Sequence, residues 1–153
     1  MSEFNFNGVV FSAYSTILSL KVATYAAIVT GDILVLDGVA GASGAGYVRR
    51  WNATTDPLFA IALHDLDNPG ADGGATIQAA IIDDNLLVRV TATGITQGKV
   101  GQFCDINGKQ SIDVTANSRS QALILVPEVA KGTALVRLYM TPTIDNSIAQ
   151  GVS

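Results

Sequence analysis

Gly31-Asp-Ile-Leu-Val-Leu-Asp-Gly38 opens a pattern that the chain states twice. A polar turn and two apolar segments follow it: residues 52–55, 59–63 and 75–79. The second copy has the same four parts in the same order: residues 98–103, 115–118, 122–126 and 134–138. Glycine turns followed by short apolar segments are typical of strands. The pattern predicts one compact β unit made of two similar halves, at about 31–82 and 98–140.

The remaining sequence also favours strands over helices. No window shows an apolar period of 3.6 residues over three turns. Val, Ile, Thr, Gly and Asp are frequent, and Asn107-Gly108 is the strongest hairpin signal. We therefore predict an all-β fold, a single-domain β-sandwich or partly open β-barrel of about ten short strands.

Three regions are expected along the chain. Residues 1–17 are predicted to form an N-terminal arm or hairpin, residues 18–141 the β domain, and residues 142–153 a loose C-terminal tail. The first strand pair of the domain is predicted at residues 20–28 and 33–36, around the Thr30-Gly-Asp32 turn.

Composition points to a surface that something else covers. The chain has 153 residues, of which 48% are hydrophobic, so a real core is expected. Charged residues make up 14%, below the roughly 25% of an average soluble domain. A surface so poor in charge favours self-association or docking on a larger assembly.

Nucleic-acid and membrane functions are disfavoured. The net charge is -4, and Arg49-Arg50 is the one basic doublet, with its two side chains expected on opposite faces of a strand. Residues 4–20 carry no charge, but Asn and Ser interrupt them, so a membrane span is not expected. No basic targeting segment precedes them.

The inventory of catalytic and metal-binding residues is poor. His64 is the single histidine and Cys104 the single cysteine, which excludes a His-His metal pair and an internal disulfide. Asp65, Asp67 and Asp72 lie in one loop, but the spacing fails the calcium-loop pattern, which requires a bidentate Glu at its last position. We expect no metal and no cofactor.

Two further constellations fail for geometric reasons. Asp83-Asp84 sits in a predicted tight turn, where adjacent carboxylates point apart, so a glycosidase pair is not expected. The glycine-rich segment 41–46 leads into a predicted strand, so no helix N-terminus is available for a phosphate. The sequence therefore predicts a protein that is not an enzyme.

The first residues are rich in uncovered aromatic side chains. Phe4, Phe6, Phe11 and Tyr14 occur there with Asn and Ser between them. Two interpretations remain open: a first strand pair of the core, or an arm that docks on a partner. Under the second interpretation these four aromatic residues are the partner-binding residues.

Taken together, two quoted segments resemble a known family. Thr30-Gly-Asp-Ile-Leu-Val-Leu-Asp-Gly38 and Ala53-Thr-Thr-Asp-Pro-Leu-Phe-Ala-Ile-Ala-Leu63 resemble the capsid decoration (cement, auxiliary head) proteins of tailed bacteriophages. Those proteins show a Gly-Asp-x-hydrophobic strand, then an Ala-x-x-x-Pro-x-Phe-Gly-x-Ala strand. Here Ala60 stands where glycine is usual. The resemblance covers roughly residues 20–140.

The resemblance implies a virion protein without chemistry. Such proteins bind the outer surface of the expanded capsid, commonly as trimers, and stabilise the shell by bridging major capsid protein subunits. It implies synthesis in the bacterial host cytoplasm and a final location on the capsid surface. The alternatives are another virion β-module, such as a head fibre, tail or baseplate component, or a carbohydrate-binding β-module using Tyr47 and Trp51.

Overall fold

The structure is a computed structural model that describes residues 7–11, 16–37, 46–52 and 57–140. Within these residues the chain forms eleven strands and two short 3-10 helices. The strands are β1 (Gly8–Phe11), β2 (Ile17–Lys21), β3 (Ile33–Asp37), β4 (Tyr47–Arg50), β5 (Leu58–Ala62), β6 (Thr76–Ile81), β7 (Leu87–Thr91), β8 (Phe103–Gly108), β9 (Ser111–Asp113), β10 (Ala122–Glu128) and β11 (Thr133–Leu138). The 3-10 helices are Gln97–Lys99 and Val129–Lys131. The predicted all-β fold is confirmed.

The strands form two sheets, one of which closes on itself. The first sheet has the order β2-β6-β5-β3-β4, and the second has the order β1-β7-β11-β10-β8-β9. In the second sheet β7 also pairs with β9, in parallel, where Thr91 lies opposite Ser111. Strands β7 to β11 thus form a closed five-stranded barrel, and β1 is added at its side. In the first sheet a parallel bridge between Val22 and Val48 brings the chain after β2 to β4.

The second barrel repeats the strand order of the first sheet. We call β2–β6 the first unit and β7–β11 the second unit. Numbered within each unit, the order is first, fifth, fourth, second, third in both, and both bring the first strand next to the third in parallel. Each unit therefore has the same five-stranded barrel arrangement, built from consecutive halves of the chain: strand pairing closes the second barrel, and the single Val22–Val48 bridge closes the first.

Hydrogen bonds outside the ladders establish the correspondence residue by residue. Three of these bonds recur in both units: two join the residues just before the second strand to the fourth strand, and one joins the residue just after the fifth strand to the start of the fourth. In the first unit they are Gly31 N to Ala62 O (2.9 Å), Ala62 N to Asp32 O (3.0 Å) and Ile82 N to Phe59 O (3.0 Å). In the second unit they are Gly101 N to Ile124 O (2.8 Å), Ile124 N to Gln102 O (3.0 Å) and Tyr139 N to Gln121 O (2.9 Å).

This correspondence differs from the one that the sequence pattern indicates. The hydrogen bonds match Gly31 with Gly101, whereas the pattern aligned Gly31 with Gly98. Both matched glycines have positive φ, +93° and +85°, a conformation that L side chains rarely adopt. The units also include β2 and β7, which the quoted pattern left out, and the strand predicted at 20–28 is found at Ile17–Lys21.

Two hydrophobic clusters share the strands of the first unit. Buried residues alternate along β3, where Ile33 belongs to the larger cluster and Leu34 to the smaller. The smaller cluster fills the interior of the first unit. The larger cluster combines the other face of β3 and β5, including Ile61, with the interior residues of the second unit, such as Val88 and Val136. The outer face of the first unit is thus buried by the second unit.

A polar network joins the two units beside this cluster. The carboxylate of Asp32 is fully buried and accepts hydrogen bonds from Val29 N at 2.9 Å and Gln110 Nε2 at 2.7 Å. Lys109 Nζ lies 3.7 Å from the same carboxylate, and Lys109 O accepts a bond from Ile33 N. The β8–β9 turn of the second unit therefore seats directly on the start of β3.

Strand β1 packs where the two units meet. It pairs antiparallel with β7, and Val9, opposite Val88, packs against the larger cluster. Gly8 lies against Gly31, where a Cβ on Gly31 would lie 3.3 Å from the Gly8 Cα and 2.9 Å from the Asn7 carbonyl oxygen. Residues 8–11 of the segment predicted as an arm or hairpin are thus a strand of the second sheet.

The two equivalent glycines give a matched stability test. We expect Gly31→Ala to cost more than Gly101→Ala. Both substitutions pay the left-handed penalty of about 1–2 kcal/mol, but only Gly31→Ala adds a clash with backbone, worth about 1–3 kcal/mol more. No atom lies within 4 Å of a Cβ at Gly101. Urea unfolding measures both values, and equal losses would contradict the close approach of residues 7 and 8.

Candidate interaction surfaces

Several acidic side chains that could suggest chemistry are used to hold turns. Asp105 is 8% exposed, and its carboxylate accepts hydrogen bonds from the backbone N–H groups of Ser118, Arg119 and Ser120 at 2.7–3.1 Å. The hydrogen bonds from Thr115, chiefly from its side chain, lower the pKa of Asp113. These carboxylates are acceptors in the β8–β9 and β9–β10 region and have a structural role.

The acidic loop 64–74 is tied to the loop that follows β2. Asp65 accepts hydrogen bonds from Thr30 N at 2.7 Å and Thr30 Oγ1 at 2.9 Å, and these bonds lower the pKa of Asp65. Asp72 accepts one from Thr24 N at 2.6 Å. Among the described residues, no group of three or more His, Cys, Asp or Glu side chains is placed to hold a metal ion.

The hydrogen bonds of His64 and the burial of Cys104 indicate structural roles for both residues. The Nε2 of His64 accepts a hydrogen bond from Gln78 N at 3.0 Å, and its Nδ1 lies 2.9 Å from Asp65 O, so Nδ1 carries the proton. Cys104 is 1% exposed inside the second barrel, and burial, with the neighbouring Asp105 charge, raises the pKa of its thiol to about 11.

The described helices include none that could cross a membrane.

The Tyr47–Trp51 strand does not present a flat aromatic platform. Trp51 is 8% exposed and belongs to the larger cluster, and Tyr47 is half-buried beside Gly73. The expectation that Arg49 and Arg50 are separated by the sheet is wrong for their guanidinium groups. Both lie over the ring of Tyr25, at 5.1 and 5.8 Å from its centroid, because β4 is near the sheet edge and long side chains can bend around it.

The predicted partner-binding residues fall mostly outside the described part of the chain. Phe4, Phe6 and Tyr14 lie outside it. Phe11 is the last residue of β1, where its backbone pairs with Leu87.

An apolar surface on the second unit was not anticipated from the sequence. Phe103 is 44% exposed and pairs across the ladder with Leu123, and its ring lies 5.8 Å from the ring of Tyr139. In the neighbouring row Val126, 47% exposed, pairs with Leu135. We call these five residues the distal patch. The sequence gives little indication of the distal patch, because its residues alternate along the chain with buried residues that are just as apolar.

An ion pair flanks the distal patch. The Glu128 carboxylate accepts bonds from Arg89 Nε at 2.8 Å, Arg89 Nη2 at 3.0 Å and Thr133 Oγ1 at 2.6 Å, so it joins β10 to β7 and β11. Arg89 lies opposite Leu135 of the patch. The bonds from Arg89 lower the pKa of Glu128.

A second exposed apolar surface lies on β2 of the first unit. Ile17 is 53% exposed and Leu18 is 46% exposed. We call the surface at Leu18 the β2 patch, because the side chain of Ile17 lies on the opposite side of the strand. Side chains alternate along a strand, so Leu18 lies on the same side as Leu20, which packs against the smaller cluster. Leu18 therefore stands at the open end of the first barrel.

A cavity of about 420 Å³ opens beside the polar network between the units, lined by Asn7, Val29, Thr30 and Gln110. Asn7 Nδ2 donates to Thr91 Oγ1 at 3.1 Å and to Gln110 Oε1 at 3.2 Å. The polar side chains that line the cavity therefore take part in hydrogen bonds that join the two units.

Comparison with known proteins adds no relative: no family model, curated protein or solved structure matches this chain.

We expect the native Cys104 thiol to react with Ellman's reagent more slowly than the urea-unfolded thiol by more than about a hundredfold at pH 8. A pKa near 11 leaves little thiolate, compared with an ordinary value near 8.5, and burial blocks access. Absorbance at the thionitrobenzoate band follows both reactions. Fast reaction of the folded protein would show that the second barrel opens.

Glu128→Gln should lower the free energy of unfolding at neutral pH by about 1.5–3 kcal/mol, the worth of a charge-assisted hydrogen bond. The folded-state pKa of Glu128 is depressed, so its stabilisation is present above the unfolded pKa near 4.5 and is lost as pH falls through the folded pKa. The difference between wild type and variant should therefore shrink in acid.

The control for this test is Asp84→Asn, the same acid-to-amide change at an exposed turn residue. We expect it to change stability by less than about 0.5 kcal/mol. Chemical denaturation at several pH values measures both variants. A Glu128→Gln deficit that stays constant into strong acid would contradict the ion pair.

Proposed function

We propose that this protein is a non-enzymatic structural component of a tailed-bacteriophage virion, which binds the outer surface of the capsid and bridges major capsid protein subunits. The observation that carries the proposal is a doubled β-barrel body whose exposed apolar surfaces, the distal patch and the β2 patch, favour a protein that is covered in a larger assembly. Two separate contact surfaces on one body allow each copy to join such an assembly through more than one contact. The resemblance of residues 30–38 and 53–63 to capsid decoration proteins supplies the class of partner.

The chemistry of the described residues supports a structural role over catalysis. The acidic side chains of the loops accept hydrogen bonds that hold turns, and Cys104 is buried with a raised pKa. An active site needs a nucleophile or acid–base pair converging in a cleft. The burial of Trp51 also counts against the carbohydrate-binding alternative, since a sugar platform needs exposed aromatic rings.

Weak individual contacts suffice for such a function. Many copies bind one shell, so the contacts of each copy act together through multivalency. The low charge of the chain, 14% charged residues with a net charge of -4, suits surfaces that are covered in the assembled particle. The aromatic residues Phe4 and Phe6 are proposed to add to the capsid contact.

The direct experiment mixes the purified protein with expanded shells assembled from the major capsid protein of the phage genome that encodes this chain. We expect co-sedimentation that saturates at a fixed number of copies per shell, and a higher temperature of shell disruption. Binding that does not saturate, or the absence of binding, would contradict the proposal.

A chain beginning at Asn7 tests the aromatic N-terminus. It keeps β1 and its packing on the core but lacks Phe4 and Phe6. We expect a folded protein whose capsid affinity falls by about a hundredfold or more, because two buried aromatic side chains contribute about 1.5–3 kcal/mol each. Capsid titration measures the loss.

The matched control for this test is removal of residues 142–153, which shortens the other terminus and should leave capsid affinity unchanged. Full binding by the chain that begins at Asn7 would mean that Phe4 and Phe6 do not contact the capsid.

A further inference from the structure

The correspondence between the two units identifies a pair of outward-facing residues that is buried in the first unit, whereas the equivalent pair is exposed in the second. In the first unit, Ile33 pairs with Ile61 on the outer face, and the next pair, Leu34 with Ala60, faces the interior. In the second unit the equivalent outer pair is Phe103 with Leu123. The two pairs therefore occupy the same position on the same small barrel.

The environments of these two equivalent pairs differ. Ile33 and Ile61 are both 0% exposed, because the second unit covers them through the larger cluster. Phe103 is 44% exposed and Leu123 is half-buried. The distal patch is thus the counterpart of a face that, in the first unit, is covered by another barrel.

Among the second unit's residues in the larger cluster, one has an exposed counterpart in the first unit. Val88, near the start of β7, is 0% exposed and belongs to the cluster that joins the units. Ile124 and Ala62 hold equivalent positions, and their ladder partners are Val136 and Ala79, so these two residues are also equivalent. Val136 pairs with Val88, and Ala79 pairs with Leu18. Leu18 of β2 is therefore the residue equivalent to Val88. Leu18 is 46% exposed.

We propose that a second copy of this chain covers the distal patch with its own β2 patch, repeating between chains the contact that joins the two units within one chain. The inference rests on the self-association that the charge-poor composition indicates, and not on capsid binding. The occupant is a second copy because the chain itself carries both halves of the contact, one on each unit, and both are apolar and exposed.

Such a contact is head to tail, since different surfaces of the two copies meet. A head-to-tail contact closes into a ring when its rotation divides a full turn. Three copies of a two-barrel chain would place six equivalent barrels around one axis. The covered surfaces would include those at Phe103, Val126 and Leu18, which otherwise expose large apolar side chains.

The test uses one charged substitution in each patch. Phe103→Asp and Leu18→Asp each destroy a different half of the contact, so each variant alone should sediment as a monomer while the wild type sediments as an oligomer. Losing one central apolar residue should raise the dissociation constant by roughly 30-fold or more. Val129→Asp, at a 53% exposed residue outside both patches, is the control and should sediment as wild type does.

Mixing the two variants gives the sharpest result. Phe103→Asp keeps an intact β2 patch and Leu18→Asp keeps an intact distal patch, so the mixture should form heterodimers and stop there. Circular dichroism and urea unfolding confirm that each variant is folded, and Val126→Asp and Leu18→Lys replace any variant that is not.

Three results would overturn the inference: a monomeric wild type, an oligomeric Leu18→Asp variant, or a mixture that forms no heterodimers. A monomeric wild type that still binds capsids would remove this interface and leave the proposed function intact. A wild type that forms the oligomer, with the expected behaviour of the variants, but does not bind capsids would support this interface and contradict the proposed function.

Discussion

The burial of one outer sheet face of the first unit by the second unit is the contact on which the rest of the structure depends. Ile33 and Ile61 are fully buried there, so the central strands of the first unit are covered on both faces. Fully burying one such aliphatic side chain contributes about 1.5–3 kcal/mol. The polar network around Asp32 and the β1 strand form at the edges of this contact and set its geometry.

Strand composition explains how much of the fold the sequence could predict. Few Glu and Lys residues, frequent β-branched residues and repeated glycine turns predict an all-β domain, because they disfavour helices and permit tight reversals. Register was harder to predict. Gly98 and Gly101 are both plausible starts for the second copy, and only the bonds to Ile124 O and from Ile124 N select Gly101. Loops of different length between matched strands hide the correspondence.

The candidate surfaces were less predictable than the fold, for a physical reason. Ile33 and Phe103 hold equivalent positions on similar apolar strands, yet one is fully buried and the other is 44% exposed. That difference comes from the neighbouring unit, which no local pattern encodes. Arg49 and Arg50 show the same limit, since strand alternation separates their backbones while their long side chains meet over Tyr25. The role of Phe4, Phe6 and Tyr14 in partner binding remains a prediction, because these residues lie outside the described part of the chain.

Native-state amide hydrogen exchange tests most directly whether the shared cluster makes the two units one body. The matched amides of Ala62 and Ile124 donate equivalent hydrogen bonds, one in each unit. If the cluster joins the units, both amides exchange through global unfolding with the same free energy and the same denaturant dependence. Exchange of Ala62 at a much lower free energy than Ile124, with a smaller dependence, would show that the first unit opens independently and would contradict this account.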